Sequence, residues 1–239
     1  MTKFISVVSG KGGTGKTIVA INLALALNEF GHNVILMDTD LRSADIGLML
    51  GMSPQYETIH DALAGKRDIT EVVYHHPSGL HFIPASITST SAKHTFDASD
   101  ALHKLRGTTE MVIMDLPAGF HQEVFSLLKL SDETIIVTNP ELPAVADAIR
   151  TIELVREAQG IVRGVVVNRY SDDETSMPLA TIQEMLEMPI LGVIPEDMNI
   201  KRSVKLKFPV TYAFPTSPAS ASFKQLAAEL LGRKKKILH

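Results

Sequence analysis

The sequence predicts a doubly wound α/β domain, with a mostly parallel sheet and helices on both of its faces. Three observations carry that expectation. Short runs of continuously apolar, β-branched residues recur along the chain and end at a polar residue, Gly or Pro; such runs are strands buried on both faces. Segments of helical periodicity separate them, so the order alternates strand and helix. The chain has 239 residues, 45% hydrophobic and 21% charged, which is enough to bury a sheet on both sides in an ordinary globular protein.

Taken in order, the expected strands are residues 4–9 (FISVVS), 33–38 (NVILMD), 80–85 (LHFIPA), 111–115 (MVIMD), 134–139 (TIIVTN), 161–168 (IVRGVVVN) and 190–195 (ILGVIP). Helical patterns fall at 17–30, 98–105, 144–159 and 178–186. A last stripe of Phe223, Leu226, Ala227, Leu230 and Leu231 reads as a core-facing helix that Gly232 ends. No repeat or linker divides residues 1–231, so a single domain is expected there, with a basic tail at 232–239. Ligands of such sheets bind at the carboxyl ends of the strands. Ser9, Asp38, Asp115, Asn139 and Asn168 should therefore meet along one edge.

Net charge is −4, so a nucleic-acid surface could only be local. The absence of cysteine excludes disulfides, iron–sulfur ligation and a cysteine nucleophile. The opening residues, interrupted by Gly10 and Lys11, do not read as a signal peptide, and no run approaches the roughly 20 apolar residues that span a bilayer. A cytoplasmic protein is expected.

The first strand runs directly into Gly10, Lys11, Gly12, Gly13, Thr14, Gly15, Lys16 and Thr17, and a helix follows. This is G-x-x-x-x-G-K-[ST] in strand–loop–helix context, a phosphate cradle of backbone N–H groups at a helix N-terminus. Lys16 should reach the β- and γ-phosphates and the Thr17 hydroxyl should ligate Mg2+. MVIMD followed by LPAG reads as a Walker-B strand ending in Asp115, whose carboxylate would hold Mg2+ through a water.

The second lysine of the loop, Lys11, with DTDLRSADIGLMLG, DLPAG, VTNPE and VVVNR, resembles the MinD/ParA family of deviant Walker A P-loop ATPases, of SIMIBI type, and archaeal MinD homologues most closely. The resemblance runs from residue 4 to the TSPASASFKQLAAEL segment at 216–230. Sister iron–sulfur carriers need cysteines that this chain lacks, and the tail-anchor and arsenite-pump relatives carry helical insertions absent here.

The resemblance implies a role for each matching residue. Lys11 would cross a nucleotide-sandwich dimer to the partner's phosphates, acting with Lys16 and Asp40 in catalysis. Asp38 would lie in the Mg2+ shell with Thr17 and Asp115, and Asp40 would orient the attacking water. Pro117, Ala118 and Gly119 would form a switch sensitive to the γ-phosphate. Asn168 would contact the adenine, Pro195, Glu196 and Asp197 would close on the purine edge, and Glu141 would touch the partner's nucleotide. Ile18 departs from the pattern, since a second hydroxyl usually stands there; its loss weakens binding by about 1 kcal/mol. Asp45 reads as a helix cap.

The implied function is a slow, Mg2+-dependent ATP hydrolase whose ATP-bound homodimer positions a partner, at a division site or another assembly. The platform would be an anionic membrane surface reached by the tail from Arg233 to Lys236 with Ile237 and Leu238. A protein partner or activator is implied but not named by the sequence. The alternative is a ParA-like partition ATPase whose dimer binds DNA non-specifically, through Lys201, Arg202, Lys205 and Lys207 if that segment is helical.

Overall fold

The computed structural model describes residues 2–41, 43–53, 55–86 and 99–233. The chain enters through β1 (Lys3–Val8), α1 (Lys16–Glu29) and β2 (Val34–Asp38), then two short helices, α2 (Ile46–Met49) and α3 (Ile59–Leu63). A 3-10 turn (Ile69–Val72) leads to the strands β3 (Tyr74–His75) and β4 (His81–Ile83), with α4 (Ser99–Leu105), β5 (Met111–Asp115) and α5 (Gln122–Leu128) after them. β6 (Glu133–Thr138), α6 (Leu142–Glu157), β7 (Val162–Tyr170), α7 (Leu179–Leu186) and β8 (Ile190–Pro195) continue the alternation. The last elements are α8 (Met198–Leu206), α9 (Val210–Ala213) and α10 (Pro218–Leu230).

The strands form one eight-stranded sheet in the order β3-β4-β2-β5-β1-β6-β7-β8. Only β3 and β4 pair antiparallel; the other neighbours are parallel. The chain leaves β1 toward β2 on one side, and after β5 fills the gap it crosses to β6 on the other. The order therefore reverses around β1, and the carboxyl end of β1 is the place where such sheets leave a crevice.

Alternation along each strand supplies two cores. Phe4 and Val8 of β1 join one apolar cluster with α4, α5, α6 and α7; Ile5 and Val7 join the other with α1 and α10. α1 is apolar on nearly every side because it is covered on nearly every side, lying between the sheet and α10. Its one buried amide, Asn22, is satisfied: the side-chain carbonyl accepts from the Thr211 N–H and hydroxyl, both at 3.1 Å, and Nδ2 donates to the Ile18 carbonyl.

All seven expected strands are present, and the expected helices begin within about two residues of their forecast positions. The helix forecast at 98–105 is Ser99–Leu105, with Ala98 outside the described residues. β7 does not stop at Asn168 but continues to Tyr170, with a register irregularity between those two residues. The β3 edge strand was not anticipated, because two residues carry no periodicity. In α10, Phe223, Leu226, Ala227 and Leu230 are buried as forecast, and Gly232 follows in the left-handed conformation, φ 67°. Of the expected basic tail, residues 234–239 lie outside the described residues. Arg233 stacks over the Phe30 ring, 5.1 Å from its centroid, at the end of α1 remote from the Gly-rich loop. Among the described residues no helix is long and apolar enough to cross a membrane.

Candidate functional site

The loop between β1 and α1 is shaped by two glycines at which a Cβ would collide with its neighbours. A Cβ on Gly15 would lie 2.2 Å from Nδ2 of Asn168, and its φ is 86°. A Cβ on Gly10 would lie 2.6 Å from the Asp147 carbonyl oxygen of α6. Gly12 and Gly13 have the opposite surroundings: a Cβ on either would meet nothing within 4 Å. The loop is thus clamped at its ends and open in its middle. Asn168 provides one clamp, donating from Nδ2 to the Thr14 carbonyl at 2.7 Å. Among the described residues its buried Oδ1 has no hydrogen-bond partner, and neither has the buried Thr14 hydroxyl.

Beneath the loop lies a compact charged cluster. Lys16 Nζ donates to Asp115 Oδ1 at 2.6 Å, and both side chains are buried. The Thr17 hydroxyl faces the same carboxylate and, with Lys16, pulls its titration downward. Asp38 and Asp115 are cross-strand partners at the ends of β2 and β5, so the sheet register itself sets two carboxylates side by side. Asp38 accepts from the backbone N–H of Asp40 at 3.1 Å and of Ile46 at 3.3 Å. Burial, and then the neighbouring Asp115, hold the Asp38 carboxyl well above its ordinary value. Burial also raises Asp115, against the opposing pull of Lys16. Among the described residues one ammonium therefore serves two buried carboxylates, an arrangement short of positive charge.

The loop opens into a cleft of about 480 Å³. Its wall carries residues 12–18, so Gly12, Gly13, Thr14, Gly15, Lys16, Thr17 and Ile18 all face it, with Asp40 opposite and Pro117 and Ala118 beside them. The Gly119 N–H donates to the Ser9 carbonyl at 3.0 Å, tying the segment after β5 to the loop. The cleft also takes in Ser43, Asp45, Met49, His121, Glu123 and Arg169, which the sequence alone did not assign to it. Proximity to the motifs was the available signal: Asp45 follows the Asp40 segment, His121 and Glu123 follow DLPAG, and Arg169 follows Asn168.

Several expected residues stand elsewhere. Gly10 and Lys11 are off the cleft wall; Lys11 Nζ points to Glu141 Oε2 at 3.7 Å, so the expected pair of cross-dimer residues is joined within one chain. Asn168 stands behind the loop rather than on the cleft wall. Pro195, Glu196 and Asp197 do not line the cleft either. Glu196 pairs with Lys201 at 3.7 Å, and the Asp197 carboxylate accepts from the N–H groups of Asn199 and Ala219, which hold it at the starts of α8 and α10. Asp45 occupies the N-cap position of α2 but makes no capping bond; Asp38 accepts from the Ile46 N–H instead.

The donors fit a nucleotide with Mg2+. Among the described residues no group of three or more His, Cys, Asp or Glu side chains could hold a metal alone. Mg2+ suits such a place, because it binds through few protein oxygens and completes its shell with phosphate and water. Thr17, Asp38 and Asp115 are hard oxygen donors at the base of an N–H-lined cradle, and the orphaned Asn168 Oδ1 offers an acceptor behind it.

Residues 5–210 match the family model of the CobQ/CobB/MinD/ParA nucleotide binding domain. The chain is 34% identical over 232 residues to an uncharacterized ATP-binding protein of Methanocaldococcus jannaschii, covering 96% of this chain and 88% of that one. It is 30% identical to the antiactivator FleN of Pseudomonas aeruginosa, over 95% of this chain and 85% of FleN. Among solved structures it superposes on the septum site-determining protein MinD of Pyrococcus horikoshii, complexed with Mg-ADP, with TM-score 0.87 and 32% identity, covering 99% of this chain and 100% of that one.

Proposed function

The chain belongs to the CobQ/CobB/MinD/ParA nucleotide-binding family, and from that premise we propose that it is a slow Mg2+-dependent ATPase whose ATP-bound homodimer is a positioning switch. The observation that carries the reading is the cluster of Lys16, Thr17, Asp38 and Asp115 directly under an open N–H cradle. Lys16 neutralises Asp115 until a triphosphate enters. It then turns to the β- and γ-phosphates, and the backbone of residues 12–17 donates to the remaining oxygens. Thr17, with Asp38 and Asp115 around it, would hold Mg2+, which supplies charge neutralisation on the phosphates when bound.

Asp40, on the cleft wall, is assigned to orienting the attacking water. Asn168 keeps the loop in place with its amide; its buried Oδ1 would meet a base, and Glu196, Pro195 and Asp197 would meet the purine, only after local rearrangement. Dimer formation exchanges the Lys11–Glu141 contact for contacts with the partner's nucleotide, and hydrolysis releases the dimer. The cellular role is the placement of an assembly by a peripheral, membrane-associated dimer acting with a partner protein. The Pyrococcus MinD bound to Mg-ADP and the Pseudomonas antiactivator support a regulatory and spatial role of this kind.

The test is a pair of variants. Lys16→Ala should bind no nucleotide, since it leaves Asp115 buried without its cation and the phosphates without their lysine. Asp40→Ala should bind ATP, lose turnover by about a hundredfold, and remain dimeric in light scattering with Mg·ATP. Parental phosphate release by the Asp40 variant would remove the role given to it.

A further inference from the structure

α8 rests on the domain through a narrow face, with Ile200 packed against the core that holds α1 and α10. Of its nine residues only Ser203 is buried. Met198, Lys201, Arg202, Lys205 and Leu206 are all exposed, at the i, i+3, i+4, i+7 and i+8 spacing that puts them on one face. Met198 is 59% and Leu206 56% exposed, high values for large apolar side chains. The flanks extend the same character. Tyr212 of α9, 49% exposed, stacks on Phe208 at 5.1 Å, and Leu48 of α2 is 44% exposed beside Lys207. Among the described residues Lys201 alone of these cations has an acidic partner, Glu196. A chain of net charge −4 therefore concentrates positive charge and bare apolar side chains in one place.

Lys207 joins this face to the cleft. It adopts a left-handed backbone, φ 65°, where Gly is the usual residue after a helix. Its carbonyl accepts from His76 Nε2 at 3.0 Å, its stem lies against Gly51, and its Nζ donates to the Leu48 carbonyl at 2.9 Å, the far end of α2. The near end of α2 is the Ile46 N–H bound to Asp38. A side chain retained at a conformationally costly position, gripping the helix that starts at the cleft, is a mechanical link between the two.

We propose that the exposed face of α8 with Leu48 and Tyr212 is a docking surface for an anionic lipid bilayer, linked to the nucleotide cleft by Lys207. The nucleotide dependence rests on the dimer switch proposed above; the surface itself does not. Interleaved cations and apolar side chains suit a bilayer, where lysine and arginine meet anionic headgroups and Leu206, Met198 and Leu48 enter the acyl boundary. DNA would use the cations and leave the apolar groups without a partner. The surface uses none of the tail residues that follow Arg233, whose side chain stacks on Phe30 at the end of α1. A dimer doubles the face, so Mg·ATP should strengthen docking.

The experiment is flotation of the full chain with vesicles of equal parts phosphatidylglycerol and phosphatidylcholine, and with pure phosphatidylcholine, in Mg·ATP and Mg·ADP. Expected is binding to the anionic vesicles, tighter in ATP. Lys201→Ala/Arg202→Ala/Lys205→Ala should weaken it about a hundredfold, and Leu206→Ser about tenfold. Lys207→Gly, which suits the left-handed position and so should fold, should bind vesicles with the ATP preference lost. Thermal melts and light scattering are run on every variant. A dimer in ATP with no vesicle binding, or with binding removed only by ending the chain at Arg233, overturns the surface and leaves the switch intact. Vesicle binding with no ATP dimer sinks the switch and leaves the surface. An undiminished Leu206→Ser variant, together with a shift of duplex DNA by the parent chain, overturns the lipid assignment in favour of nucleic acid.

Discussion

At the scale of single residues, Asn168 has two separable tasks, because its two side-chain atoms face different ways. Nδ2 holds the Thr14 carbonyl, and so the loop; Oδ1 is buried without a partner among the described residues and, on the function proposed above, is the atom that would accept from an amino group on the base. An unsatisfied buried acceptor costs on the order of 1–3 kcal/mol, and a ligand that satisfies it gains by comparison with one that cannot. Asn168→Ala removes both atoms. The expected result is weaker ATP binding with the ATP-over-GTP preference reduced about tenfold, read in a competition assay with a fluorescent nucleotide. A variant that bound both nucleotides more weakly but kept the parental preference would show that Oδ1 faces no base. The phosphate loop was legible beforehand because its spacing is dictated by backbone chemistry: Gly15 must adopt φ 86° against Asn168, and Lys16 and Thr17 must follow on the helix. Asp45 was misread as a cap because an acidic residue before a helix has that meaning locally. Only the register of β2 with β5 reveals that Asp38 takes the N–H and leaves Asp45 on the cleft wall.

At the scale of elements, Asp197 shows how a loop residue can fasten two helices. Its carboxylate accepts from Asn199 at the start of α8, 2.8 Å away, and from Ala219 at the start of α10, 3.2 Å away. Each is an orphan donor of a helix N-terminus, where such a contact contributes about 1 kcal/mol. Asp197→Ala should therefore lower unfolding stability by about 2 kcal/mol in a urea titration, with a smaller effect on nucleotide affinity. Unchanged stability with strongly impaired nucleotide binding would return Asp197 to the purine edge. This is also where reading by sequence ran short. MVIMD and NVILMD announce themselves as strands because parallel strands buried on both faces leave no polar position inside them. PED after β8 carries no such constraint, and its geometry depends on where α10 comes back to the sheet. α8 was legible only as a conditional, since NIKRSVKLK has cations at helical spacing but scarcely any core face to announce it. The β3 strand is short enough that its pairing with β4, Tyr74 opposite Phe82, is decided wholly by tertiary packing.

At the scale of the whole molecule, the charge cluster under the cleft works against the stability of the fold, and pH should expose this. Asp38 and Asp115 have folded-state values raised above the ordinary 3.8, so the folded chain binds protons more tightly than the unfolded one. Stability then falls as pH rises from 3.8 through the raised values, and recovers as pH is lowered again. The exposed Asp68 acts with opposite sign: Thr70 and Lys104 lower it to about 2, so its contribution is present above 3.8 and is lost as pH falls toward 2. His60, His76 and His81, lowered by burial, also act with opposite sign and lose their contribution as pH falls below 6.5. The two carboxylates therefore show as a difference: in chelator and without nucleotide, the parent chain should gain more in melting temperature from neutral to mildly acidic buffer than Asp38→Asn does. Mg·ATP brings a cation to the carboxylates and should remove most of that slope. At a hundredfold excess over the dissociation constant it adds about 2.7 kcal/mol, roughly 5–10 °C for a domain of this size. The gap between liganded and chelated melting temperatures should therefore be widest at neutral pH and narrow toward acid. The dependence can be assigned by Asp38→Asn, which retains the side-chain shape and removes one of the two buried charges. If this variant kept the full acid-side rise in melting temperature, the strain would lie elsewhere in the molecule. If the slope flattened, the same pair of carboxylates that the β2–β5 register forces together would be both the seat of the metal and the reason the fold waits for its ligand.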